Sequence, residues 1–277
     1  MPLALIENEN TILTPQDIED ILHEQKDIIY PDLIQSEFQN IYFTEDENIW
    51  LDRITYHIRH FLPDPFKRAL AYFAVFQACI IKRPYNLFHR ANLYMRQAEV
   101  TRSFGNKTTW DTPFENHFRA FVKEANTAVF NNNRHNRALC LDALKTPIGA
   151  DMVYLDPPYM NDKGVSVDYR DFYHFLEGLM QYDLWSSLID QKSRHKRLQP
   201  QPSGWNRAST ILNMFETLIA RHRESIVVLS YRDDGIPSKA TLIELLKSYK
   251  STVREVSQPT KYALAHRPSR ELLLIGA

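Results

Sequence analysis

Apolar and polar positions follow two regimes along this chain. Four short segments, 150–156 (ADMVYLD), 225–231 (SIVVLSY), 252–258 (TVREVSQ) and 271–277 (ELLLIGA), read as buried strands. The first, second and last are nearly continuous apolar runs, the pattern of strands covered on both faces. Helical spacing fills the intervals at 171–182, 210–222 and 239–249. This alternation predicts an α/β sheet with helices on both sides. The first 82 residues read as helices alone. Segment 14–22 (TPQDIEDIL) opens on Thr-Pro, sets acids in its first turn and spaces Ile18, Ile21 and Leu22 along one face. A second helix is expected over 47–61. A third, over 65–82, is apolar almost all round and should be deeply buried.

The tract 83–136 differs. It mixes aromatics with Arg and Asn, has a turn signal at Gly105-Asn106 and ends in the polar stretch NNNRHNR. Basic residues among flat rings suit a nucleic-acid surface, with charge for phosphates and rings and amides for bases. A helical subdomain with a polar rim has the same composition. Charge is uneven: residues 1–60 hold 13 acids against 3 Lys and Arg, whereas the remainder holds 21 acids against 30. An acidic docking segment joined to a nucleic-acid-facing body has this profile, as does a solvated helical face beside an ordinary body. No run approaches the roughly 20 apolar residues of a membrane span. With no secretory pattern at the start and only Cys79 and Cys140, a reduced, cytoplasmic protein without a metal cluster is expected.

The candidate chemistry lies at 152–160, MVYLDPPYM. Ligands of open α/β sheets bind beyond the carboxyl ends of the strands, where Asp156 is expected. Pro157 and Pro158 fix their own φ angles and have no N–H to compete for the carboxylate. A carboxylate and a nearby carbonyl match the two N–H donors of an exocyclic amino group, and Tyr159 offers a flat face. The segment is a clamp for a planar aminated heterocycle, or else a strand ending in a Pro-Pro turn with a surface aromatic.

The chain resembles the Dam-like (alpha-type) adenine-specific DNA methyltransferases. The likeness runs through ALIENENTILTP (4–15), NLFHRANLYMR (86–96), FGNKTTW (104–110), NRALCLDAL (136–144), DPPY (156–159), DFYHFLEGL (171–179), SYRDDGIPS (230–238) and ELLLIG (271–276), in family order. It implies a partial Rossmann-like, S-adenosylmethionine-dependent methyltransferase sheet, first strands missing, with a mostly helical target-recognition region. The implied parts are a helical core segment at 1–82, target recognition at 83–136 and a catalytic α/β portion at 137–277. Asp156 and the Pro157 carbonyl would accept from the adenine amino group, beside Pro158. Tyr159 would stack on a base swung out of the duplex. Cys140, Leu141 and Asp142 would lie beside the methyl donor's adenine ring, and Ser230, Tyr231 and Arg232 would line the target pocket. Lys192, Arg194, Lys196 and Arg197, with Arg90, Arg96 and Lys107, are the candidate contacts to double-stranded DNA; the basic run is otherwise a solvated loop. Asn in place of Asp156 would favour glutamine as substrate; Asp favours adenine.

The chain departs from the family at one point. Members carry a Phe-x-Gly-x-Gly turn that holds the donor's methionine part, and no glycine here precedes Gly105. The strand at 150–156 is therefore expected to have an open edge. A second subunit supplying the donor-binding strands and glycine turn would cover it. A non-catalytic DNA-binding specificity subunit, or an inactive remnant, is the alternative.

Overall fold

A computed structural model describes residues 3–99, 107–201, 203–260 and 269–277. The Gly105-Asn106 turn lies outside them. The chain forms two compact units, one from Met1–Leu139 with Arg170–Pro200, the other from Cys140–Tyr169 with Gln201–Ala277.

The first unit is helical: α1 (Pro15–Leu22), α2 (Leu33–Glu37), α3 (Glu45–Phe61), α4 (Pro65–Ile81), α5 (Leu93–Gln97), α6 (Lys107–Asp111) and α7 (Phe114–Ala128). After α8 (Tyr169–Phe172), which begins on the last residue of the other unit's first segment, come α9 (His174–Met180) and α10 (Tyr182–Leu188). Reciprocal side-chain caps start α1 at Thr14 with Asp17, and α3 at Thr44 with Glu47. Asp64 accepts from Phe66 N and Lys67 N to start α4, whose interior from Leu70 to Phe76 is buried. The expected helices at 14–22, 47–61 and 65–82 thus have direct counterparts. Helix α7 falls in the tract expected to be mostly helical, although its bounds were not placed. Its Phe114, Phe118, Val122 and Ala125 are buried along one helical face.

An aromatic cluster forms the middle of this unit. Phe38, Tyr42, Phe43, Phe88, Phe175 and Trp185 are fully buried. Phe38 lies 4.8 Å from the Trp185 ring, and Phe88 stacks on Phe175 at 5.2 Å. Trp185 fits only because residue 178 in α9 is glycine: a Cβ there would sit 1.8 Å from its Cε2. Gly178→Ala therefore sets helix propensity, which favours Ala by about 1 kcal/mol, against overlap with a buried ring. Overlap dominates, and the variant is expected to lose about 1–3 kcal/mol. Thermal unfolding checks this; an unchanged or raised Tm would contradict it.

An ionic cluster fastens the helices. Glu47 of α3 binds Arg96 of α5 at 2.7 Å and Lys82, which follows α4, at 2.9 Å. Both cations are buried, and Arg96 also donates to Trp110 O of α6 at 3.0 Å. Arg96 was a candidate DNA contact; the structure removes it from that set, because its guanidinium is committed to Glu47 inside the unit. Arg83 is buried over the Tyr42 ring at 4.1 Å, and desolvation pulls its pKa down to about 9.

The second unit holds the sheet: β1 (Met152–Leu155), β2 (Ile226–Arg232), β3 (Val253–Thr260) and β4 (Ser269–Gly276), in spatial order β1-β2-β4-β3. All four match the expected strands. β1 and β2 are parallel; β4 runs antiparallel between β2 and β3. Helices α11 (Ile211–Arg221) and α12 (Lys239–Lys247) bury Phe215, Leu218, Leu242 and Leu246 with Leu155, Val227, Leu229 and Leu274. Lys250 ties the start of β3 to the end of α11 by donating to His222 O at 3.2 Å and Arg223 O at 2.6 Å.

Helices on both sides were expected, and here the structure differs. Met152 (60% exposed), Tyr154 (59%), Ile226 (43%) and Val256 (41%) lie exposed on the face opposite α11 and α12. The register explains it, since Met152 pairs with Ile226 and Leu155 with Leu229, so alternate residues share a face. Segment 171–182, expected to be a covering helix, instead buries Phe175, Leu176, Leu179 and Tyr182 in the helical unit. Among the described α-helices, α11 and α12 pack on the sheet, and both contribute to the same core cluster.

Candidate active site

β1 ends at Leu155, and Asp156 emerges exposed just beyond it, at the carboxyl end of a strand whose parallel neighbour β2 ends at Arg232. Pro157 and Pro158 are half-buried and follow at once. The next turn is anchored to the end of β2. Tyr159 Oη and Ser230 Oγ share a hydrogen bond of 2.6 Å, and the Tyr159 ring meets Tyr231 edge-on at 5.4 Å. Ile236 N donates to Met160 O at 3.1 Å, and Tyr231 Oη donates to Ile236 O. Gly235 permits this approach, since a Cβ there would lie 2.6 Å from Tyr231 Cε1. The loops after β1 and β2 are thus joined, and the backbone holding Asp156 is braced from both.

Burial, reinforced by the Asp156 charge, pushes the Tyr159 phenol up to about 12. It stays protonated at neutral pH. Arg232 is held by Asp234, with Nε to Oδ1 at 2.5 Å and Nη2 to Oδ2 at 2.7 Å.

A cavity of about 840 Å³ runs beside β1, within the size range of small-molecule sites. Asp156, Pro157 and Pro158 line it together with Asp142, Trp205 and Phe215. Tyr159, Ser230 and Tyr231 are not among the described residues that line it. Asp142 Oδ1 accepts from Leu144 N at 3.0 Å, which fixes the carboxylate at its edge. Cys140 and Leu141 are exposed and do not line it. Two carboxylates and no Lys or Arg stand among its described lining residues, so the wall is electronegative and unsuited to phosphate. Among the described residues, no group of three or more His, Cys, Asp or Glu could hold a metal, and no helix is long and apolar enough to cross a membrane.

The structure brings Asp142, Asp156, Pro157 and Pro158 to one cavity, and joins Tyr159 to Ser230 and Tyr231 beside it. The cationic candidates belong to the helical unit and divide by partner. Lys196 pairs with Glu37 at 3.2 Å, Arg197 with Asp190 at 3.3 Å, and Lys107 with Asp111 at 3.0 Å. Arg90, Lys192 and Arg194 are exposed and have no ion pair among the described residues. Trp205 was missed on the cavity wall. It stands at the end of a stretch read only for its positive charge, and the signal was a Gly-Trp pair in otherwise polar sequence.

Comparison with known proteins now bears on this geometry. The chain is 27% identical over 279 aligned positions to the Type II methyltransferase M2.HphI of Haemophilus parahaemolyticus, covering 98% of this chain and 77% of that protein. The similarity supports a methyltransferase. No protein-family model matches the chain. No solved structure matches it either.

Proposed function

We propose that this chain is the catalytic part of an adenine-N6 DNA methyltransferase of the Dam-like type, acting on a base swung out of the duplex. The observation that carries the reading is Asp156, set at the end of β1 on a cavity with a second carboxylate and no Lys or Arg among its described lining residues. S-adenosylmethionine supplies an electrophilic methyl on a positively charged sulfur, and an electronegative cavity fits such a donor. Asp142 and the apolar wall around Phe215 would hold its nucleoside part. Asp156 Oδ and the Pro157 carbonyl accept the two amino hydrogens of adenine, which orients the nitrogen lone pair toward the methyl carbon. As the N–C bond formed, the methyl–sulfur bond of the donor would break, its electron pair staying on sulfur to leave S-adenosylhomocysteine, and the amino group would lose one proton through Asp156 to water. Pro157 and Pro158 keep both acceptors rigid and free of competing amides. Tyr159, protonated and held by Ser230, offers its ring to the base.

Double-stranded DNA is the proposed partner, gripped through phosphates by Arg90, Lys192 and Arg194. Replacing Lys192 and Arg194 together by Ala is expected to weaken DNA binding at every sequence and reduce the log–log salt slope by about 2. Titrations at several salt concentrations check this; an unchanged slope would contradict it.

A further segment that pairs with the open edge of β1, such as one on a second polypeptide, is part of this proposal. Among the described residues β1 pairs with β2 alone, which leaves its other edge without a strand partner, beside the face bearing Met152 and Tyr154. An unpaired apolar edge of this kind needs cover. The same observation keeps open a non-catalytic specificity subunit, in which Asp156 would be idle. Nucleoside analysis of unmethylated DNA incubated with protein and donor tests the reading: N6-methyladenine is expected, and 5-methylcytosine as sole product would overturn the adenine assignment.

A further inference from the structure

The loop that brings Trp205 to the cavity is fastened more firmly than a passive connection requires. Ser203 Oγ accepts from Trp205 N at 3.2 Å, and Thr210 Oγ1 donates to Gly204 O at 2.8 Å. From the other side, Ser166 Oγ donates to Asn206 Oδ1 at 3.1 Å. Gly204 lies close against α11, where a Cβ would come within 2.6 Å of Met214 Sδ and the thioether would have to shift. The indole meets Phe215 edge-on at 5.3 Å and 89°, which fixes its plane. A rigid, half-buried indole therefore stands on the same cavity as the carboxylates of Asp142 and Asp156.

We infer that Trp205 is the stacking wall for a purine ring in this cavity. The inference deepens the methyltransferase reading and rests on it. A planar ring gains from an indole face, its exocyclic amino group finds carboxylate acceptors, and the absence of Lys or Arg among the described lining residues disfavours a phosphorylated ligand. The purine has two possible sources, the donor's adenosine part and a base from DNA. The chemistry at Trp205 is the same for both.

The test uses the full chain with S-adenosylhomocysteine, and separately with a single-stranded oligonucleotide containing 2-aminopurine. Trp205→Ala is expected to weaken binding of one probe about 10-fold, with Trp205→Phe restoring most of it because a flat ring is regained. Thermal melts of both variants serve as the folding control, and the wild-type indole emission should change on binding and lose that change in Trp205→Phe. An effect confined to S-adenosylhomocysteine assigns the wall to the donor; one confined to 2-aminopurine assigns it to the base. Equal binding of both probes by wild type and Trp205→Ala overturns the inference. So does failure of wild type to bind either probe. The methyltransferase reading itself falls only if labelled methyl transfer to DNA is also absent.

Discussion

Asp156→Ala is expected to lower methyl transfer to DNA by about 100- to 1000-fold while leaving DNA affinity within about twofold. The magnitude is that of removing one preorganised hydrogen-bonding group from a reacting centre. The carboxylate lies exposed at the carboxyl end of β1, between a strand and two prolines that hold it in place. Its removal breaks no internal ion pair among the described residues, so the fold should survive, and the loss should fall on kcat. Asp156→Asn keeps one acceptor and is expected to fall between wild type and Ala. Steady-state transfer with parallel DNA titrations reads both effects. Equal loss of binding and transfer would mean that Asp156 serves the fold or the DNA grip; no loss of transfer would remove it from the chemistry.

Glu47→Ala should have the largest effect on stability. It strands the buried ammonium of Lys82 and guanidinium of Arg96 without a counter-charge, and breaking a buried pair from one side costs about 3–5 kcal/mol. For a unit of this size that corresponds to roughly 2–4 °C of Tm per kcal/mol. Thermal denaturation is the check; a shift under about 2 °C would contradict the role given to the cluster. The pH dependence follows from the same contacts. Burial alone would raise the Glu47 pKa, but Arg96 and Lys82 outweigh it and hold it below the usual range. The folded pKa is depressed, so the stabilisation is complete above the unfolded carboxylate value. It is lost as pH falls through the folded one. Wild type should weaken at acid pH through this group, and Glu47→Ala should lack that component.

The strands were legible because their apolar runs are dense and bounded by polar turns, and the helix starts at Thr14 and Asp64 because their caps are local. The sidedness of the sheet was not legible. A run such as SIVVLSY looks the same whether its outward residues Ile226 and Val228 are covered or bare; the difference arises because Phe175 and Tyr182 of segment 171–182 pack into another unit. Composition misled twice in 83–136. It drew attention from the bounds of α7, whose Phe114, Phe118, Val122 and Ala125 repeat at helical spacing, and it presented Arg96 as a surface cation although Glu47, 49 residues earlier, binds it. Asp156 to Tyr159 were legible as one contiguous segment, but its division was not: Asp156, Pro157 and Pro158 line the cavity, whereas Tyr159 bonds to Ser230. Trp205 was not legible, because its approach to Asp142 and Asp156 is made by tertiary contacts of Gly204 with α11 and of Asn206 with Ser166.

The most direct measurement is transfer of a labelled methyl group from S-adenosylmethionine to unmethylated double-stranded DNA. It would be run with the chain alone and with a polypeptide that pairs with β1, comparing wild type with Asp156→Ala. The account predicts label in DNA, on adenine, that depends on Asp156. DNA without label in both settings, from a chain that still binds DNA, would contradict catalysis at this site.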